Sequence, residues 1–189
     1  MDDLHLIERI SRKDEEAFRI FVEKYHQLVL NICNNILHNH DDAMDVSQEV
    51  FIKIYNSIDS FRAESKITTW IYRIAVNKSL NYLRSKKRQK WFSSIDILFD
   101  NNSKKNEPQD SELKPGENIE LDENKKALYH ALAKLPQKQN IAISLNSFED
   151  LSYKEISDIM NISTSEVGVL INRGKKKLQQ LIIEYFKNN

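Results

Sequence analysis

The sequence predicts an all-α protein of two small helical domains, the second a helix-turn-helix, joined by a flexible linker. Three observations carry this. The 189 residues hold only three glycines and three prolines, so tight turns and helix breaks are few. Apolar residues recur at steps of three and four along most of the chain. The exception is 93–120, which holds two of the three prolines, a glycine and few apolar side chains. Such a segment buries too little surface to offset the entropy of ordering it. The expected division is therefore 1–92, a linker over 93–120, and 121–189.

Residues 4–37 read as helical, with Leu6, Ile7 and Ile10, then Phe18, Phe21, Tyr25, Val29, Ile32, Cys33 and Ile36 on one face. Asp14 to Glu16 supply the acids that favour a helix start. Asn39 to Asp42 mark a break and a new cap. A helix over about 42–57 follows, apolar at Val46, Val50, Phe51, Ile54 and Ile58 and polar at Asp42, Asp45, Gln48, Glu49 and Lys53. After a loop at 59–67, a basic helix begins near Thr68 or Thr69, both of them N-cap residues by type. In the second domain, Leu128, Leu132 and Leu135 lead to Pro136 and a helix over about 137–147. Two capping boxes follow, Ser152–Glu155 and Ser163–Glu166, separated by Met160-Asn161-Ile162. An asparagine there tolerates the left-handed conformation of a tight turn, and the whole has helix-turn-helix spacing.

The formal net charge is zero, yet it is unevenly spread. Residues 1–59 and 93–124 are acidic, 60–92 and 168–189 are strongly basic, and 125–167 balance. Two basic surfaces on one chain fit two contacts with one polyanion, and the acidic segments fit a basic protein partner. In the first basic segment Thr69, Arg73, Asn77, Asn81, Arg84 and Arg88 fall on one helical face. Arg62, Lys66 and Lys87 add positive charge, and Trp70 stands at the helix entry, where it either stacks on a base or packs into the core. Cations beside an aromatic ring suit a single nucleic-acid strand. The second helix of the helix-turn-helix ends in Arg173, Lys175, Lys176 and Lys177, which raises DNA binding above a purely structural role.

Other function classes find little support. The single cysteine, Cys33, lies among apolar residues and excludes a disulfide framework or a thiolate metal cluster. His38 and His40 flank a turn and are too local for a metal site; no metal and no cofactor are expected. A nucleic-acid enzyme would need carboxylates converging from several elements to hold Mg²⁺, and the sequence has no such pattern. No apolar run approaches a membrane span and the N-terminus is acidic, so a soluble, cytoplasmic protein without membrane insertion is expected.

Together DAMDVSQEVFIKIY (42–55), FRAESKITTWIYRIAVNKSLNYLR (61–84), LPQKQNIAISL (135–145) and LSYKEISDIMNISTSEVGVLINRGKKKL (151–178) resemble the extracytoplasmic-function sigma factors of bacterial RNA polymerase. The resemblance spans nearly the whole chain apart from the linker. It implies a promoter-specificity subunit, not itself an enzyme and a monomer when free. It implies that Asp42, Asp45, Gln48, Glu49, Ile52 and Lys53 meet core polymerase. Arg62, Lys66, Thr69, Trp70, Arg73, Asn77, Asn81, Arg84, Lys87 and Arg88 would hold the minus-ten element, including its single-stranded non-template strand. Ser163, Thr164, Ser165, Glu166, Asn172, Arg173, Lys175, Lys176 and Lys177 would meet the duplex minus-35 element. An anti-sigma factor is the further partner implied, and without core polymerase the two domains could fold against each other. One departure stands out: Gly168-Val169-Leu170 occupies the place where a basic-small-basic triplet is common, with Leu170 expected to pack inward. The alternative reading, a stand-alone helix-turn-helix regulator, leaves 42–55 and 61–88 unexplained.

Overall fold

The structure, a computed structural model, describes residues 2–99 and 123–188, and of residues 90–99 only the helix path. Among the described residues all regular structure is helical: α1 (Asp3–Ser11), α2 (Glu15–Leu37), α3 (His40–Ser57), a 3₁₀ turn (Ile58–Ser60), α4 (Ile67–Phe99), α5 (Glu123–Ala133), α6 (Gln137–Ser147), α7 (Tyr153–Met160) and α8 (Thr164–Asn188). The all-α expectation is met. The expected linker falls mostly on residues outside those described.

Local chemistry sets the breaks. The helix expected over 4–37 is two helices, because Lys13 takes a left-handed φ of 64° and the Asp14 carboxylate caps α2 by accepting from Ala17 N at 3.0 Å. His38 closes α2 with a φ of 53°, and the Asn39 side chain then accepts from Asp42 N at 2.8 Å to open α3. The basic helix starts earlier than its threonines suggest. The Lys66 carbonyl already accepts from Trp70 N, Ile67 is buried, and Thr69 is only 4% exposed. Thr69 lies in phase with Tyr72 and Val76, which are buried too, so the helix phase that suits the core overrides the cap preference. At its other end α4 runs to Phe99, past the boundary expected at 93, through a stretch without glycine or proline.

In the N-terminal half, α2, α3 and α4 enclose Phe21, Val29, Ile32, Cys33, Val46, Val50, Ile54, Ile71 and Ala75. Cys33 is fully buried; its Sγ accepts from the Ser79 hydroxyl at 3.6 Å, and burial pushes the thiol up to about 11. The C-terminal half has a small core of its own, where Ala131, Leu132 and Leu135 meet Ile143 and Leu181. Its other buried residues, Ile141, Leu145, Ile156, Ile159, Val167 and Ile171, join the apolar cluster of the N-terminal half. The halves therefore pack against each other, α6 on α2 and α7 on α4.

Candidate nucleic-acid and polymerase interfaces

The polar stripe of α4 is real over most of its length. Asn77, Asn81, Arg84, Lys87 and Arg88 are exposed, while Ile71, Ala75, Val76 and Ser79 on the opposite side are buried. Arg84 Nη1 donates to Asn81 Oδ1 at 3.3 Å, so the stripe presents an amide and a guanidinium together. Arg62 is exposed in the preceding loop. Thr69 does not belong to the stripe, since its burial closes it to DNA. Trp70 is half-buried, tilted against Phe61 with ring centroids 5.7 Å apart and packed on the core. It is primarily a core residue with one edge open.

On α3 the expected polymerase face divides in two. Asp45, Gln48, Ile52 and Lys53 point outward, and Ile52 is 61% exposed, a large apolar side chain left in water. Asp42 turns to α4 instead: it accepts from the Tyr82 hydroxyl at 2.6 Å and pairs with Lys86 at 2.5 Å. The Asp42 carboxylate, with burial, raises the Tyr82 hydroxyl to about 12. Glu49 is exposed but pairs with Lys78 at 2.9 Å. Asp42 is thus a strut between α3 and α4.

The helix-turn-helix forms as its caps predict. Ser152 accepts from Glu155 N while the Glu155 carboxylate accepts from Ser152 N, the full reciprocal box. Asn161 takes the left-handed turn at φ 53°, ψ 52°. The second box is half-made: Ser163 Oγ accepts from Glu166 N at 3.1 Å, but the Glu166 carboxylate reaches Lys138 at 3.6 Å. Ser163, Thr164, Ser165, Glu166, Asn172, Arg173, Lys175, Lys176 and Lys177 are all exposed. Val167 and Ile171 anchor the inner face, and Leu170 is half-buried against the core, as expected. At the unusual triplet, a Cβ on Gly168 would lie 3.5 Å from the Tyr153 ring, and Val169 faces outward at 45% exposure.

Polar contacts cross the seam between the halves from Lys66, Tyr72, Arg73 and His38. Arg73 Nη2 donates to the Asp158 carbonyl at 2.8 Å. The Lys66 ammonium pairs with Glu155 at 2.9 Å and, with the Ser152 cap, holds that carboxyl down to about 2. The Tyr72 hydroxyl donates to Glu149, and the Asn140 amide meets His38 Nε2 at 2.7 Å. Burial drives His38 down to about 4, and its Nδ1 is buried without a partner. Tyr72, Glu149 and Asn140 are not marked by the sequence, and His38 is marked only as a residue beside a turn. Their partners lie 77 and 102 residues apart, and no local pattern signals such pairs. Among the described residues there is no cluster of side chains that could hold a metal, and no helix long and apolar enough to cross a membrane.

An all-α chain with a basic, amide-bearing helix in one half and a helix-turn-helix in the other has the build of a transcription initiation factor. Residues 21–89 match the family model for sigma-70 region 2, and residues 125–178 match that for sigma-70 region 4. The chain belongs to the extracytoplasmic-function family of RNA polymerase sigma factors. It is 34% identical over 187 residues to the extracytoplasmic-function RNA polymerase sigma-E factor of Escherichia coli K12, covering 96% of this chain and 97% of that one. Its fold is similar to that of CnrH, solved in complex with the cytosolic domain of CnrY, at a TM-score of 0.67 and 18% identity over 96% of this chain and 97% of CnrH. It is also similar to the sigma factor RpoE of Bartonella quintana, solved with the anti-sigma factor NepR, at a TM-score of 0.63 and 22% identity over 87% of this chain and 96% of that one.

Proposed function

We propose that this sigma factor binds core polymerase through the outward face of α3, with Asp45, Gln48, Ile52 and Lys53 as its central contacts, and brings the enzyme to promoters by two DNA surfaces. The exposed α4 stripe of Asn77, Asn81, Arg84, Lys87 and Arg88 takes the opened non-template strand at the minus-ten element. Amides and guanidinium groups suit unpaired base edges and phosphates there. The exposed start and basic run of α8 take the minus-35 duplex, with Ser163 to Ser165 and Asn172 nearest to base edges and Arg173 and Lys175 to Lys177 on phosphates. The functional division is 1–92 for core polymerase and the minus-ten element and 121–189 for the minus-35 element, with 93–120 between them. An anti-sigma factor is a fitting partner, since the sigma factor RpoE of Bartonella quintana, similar to this chain in fold, was solved with one. The chain would act in the cytoplasm, where the polymerase works.

The observation that carries this reading is the segregation on α4: its outer stripe is polar, basic and exposed while Ile71, Ala75, Val76 and Ser79 on the opposite side are buried. The test is footprinting of the reconstituted holoenzyme on genomic promoters. Protection at two upstream elements, with thymines near the start site made reactive to permanganate, is expected. A chain that protects a palindrome without core polymerase would be a stand-alone regulator.

A further inference from the structure

We propose that Val169 makes α8 select thymine in the minus-35 duplex, by packing on the C5 methyl group of that base in the major groove. This rests on the reading of α8 as the minus-35 surface, and it gives that surface a base preference. From Thr164 to Asn172 the helix carries no lysine or arginine, and its first cation is Arg173. The one charged residue in that stretch, Glu166, pairs with Lys138 at 3.6 Å. Guanine is most often read by arginine or lysine at O6 and N7, and the N-terminal part of a recognition helix is the part that meets base edges. That part of α8 therefore has no cation to hold a guanine. It offers hydroxyls, which discriminate little between bases, together with an exposed aliphatic side chain and an amide.

Val169 stands in the middle of this face. Val167 and Ile171 to either side of it are buried, while Ser165 and Arg173, one turn before and one turn after, are exposed. Its side chain is thus an aliphatic group left in water between a hydroxyl and a guanidinium. Gly168 puts no side chain of its own beside it. The Tyr153 ring lies 3.5 Å from where a Cβ of residue 168 would be, and it too is exposed, so a second apolar surface fills that place. Thymine alone among the DNA bases offers a methyl group in the major groove, and contact with it tells thymine from cytosine. Asn172 is a neighbour on the helix surface, at about 5–6 Å between β-carbons, and an amide pairs with adenine at N6 and N7. A methyl contact and an amide contact so close together fit one A·T pair or two adjacent ones.

The test uses holoenzyme reconstituted with this chain and a promoter whose upstream element it protects. Each thymine of that element is replaced in turn by deoxyuridine, which pairs identically and lacks only the methyl group. At one or two positions the exchange should weaken binding by about three- to fourfold, as one buried methyl group is worth. Val169→Ala should weaken binding to the parent promoter to a similar extent and abolish the response to deoxyuridine at those positions. Alanine favours a helix and the site is exposed, so the variant keeps its fold; the exchange in the parent protein needs no variant at all. An upstream element without an A·T pair, no thymine whose methyl group matters, or a response undiminished in Val169→Ala would each overturn the proposal. Failure of the underlying reading looks different: the holoenzyme would then protect no upstream element, and scrambling the upstream DNA would leave its binding unchanged.

Discussion

A Cβ placed on Gly174 would stand 2.6 Å from Cδ1 of Ile143, a side chain that is itself only 2% exposed. The glycine lets α8 lie directly on α6, and the isoleucine has nowhere to retreat. Gly174→Ala should therefore destabilise the C-terminal half by about 1–2 kcal/mol, overpacking outweighing the gain in helix propensity. Gly168→Ala in the same helix should do the opposite, adding up to about 1 kcal/mol, because its new methyl meets the Tyr153 ring at ordinary contact distance. Urea midpoints of the two variants, moving in opposite directions, check this.

Asp42 and Asp45 sit three residues apart on α3 and should fail differently. Asp42→Asn weakens the ties to Tyr82 and Lys86 and should cost stability by about 1 kcal/mol. Asp45→Arg, on the open face, should leave the melting temperature unchanged and reduce capture of core polymerase in a pull-down. Undiminished capture would remove the outward face of α3 from the polymerase contact.

Asn77→Ala should impair promoter opening more than closed-complex formation. Its amide is exposed on the stripe that we propose takes an unpaired base, and losing one such contact is worth roughly 1–3 kcal/mol. Permanganate reactivity of promoter thymines is the measurement; a pattern equal to wild type would count against this placement.

His38 makes the seam sensitive to acid. Its imidazole is held down to about 4 by burial against an ordinary value of 6.5, so between those values the unfolded or opened chain binds a proton that the closed chain does not. Stability should fall as pH drops from 7 to 5, by on the order of 1–2 kcal/mol. His38→Asn, which tolerates the left-handed backbone, should flatten that part of the profile. Denaturation at a series of pH values, followed by tryptophan fluorescence, would show whether it does.

The sequence reveals what depends on neighbours in the chain. The Ser152–Glu155 cap, the left-handed Asn161 and the exposed Arg173 to Lys177 run follow from residues within a turn or two of one another. Thr69 was misplaced because its type favours a cap while its phase, shared with Tyr72 and Val76, faces the core. The ties of Asp42 are hidden for a related reason: an acid near a helix start reads as solvated until a tyrosine and a lysine 40 and 44 residues away turn toward it. The seam between the halves is the extreme case. Its contacts join residues 77 to 102 apart, and nothing in the periodicity of α4 or α7 marks which of their faces will meet.

Because α7 and α4 belong to one chain, closure is a first-order event. Tethered groups meet at an effective concentration on the order of millimolar, so contacts too weak to hold separate molecules together still populate the closed form. The balance between closed and open is then the same in a cell holding few copies as in one holding many. Dilution does not open the chain and synthesis of more does not close it. Only a ligand that prefers one form can shift that balance, by as much as its affinity for the two forms differs.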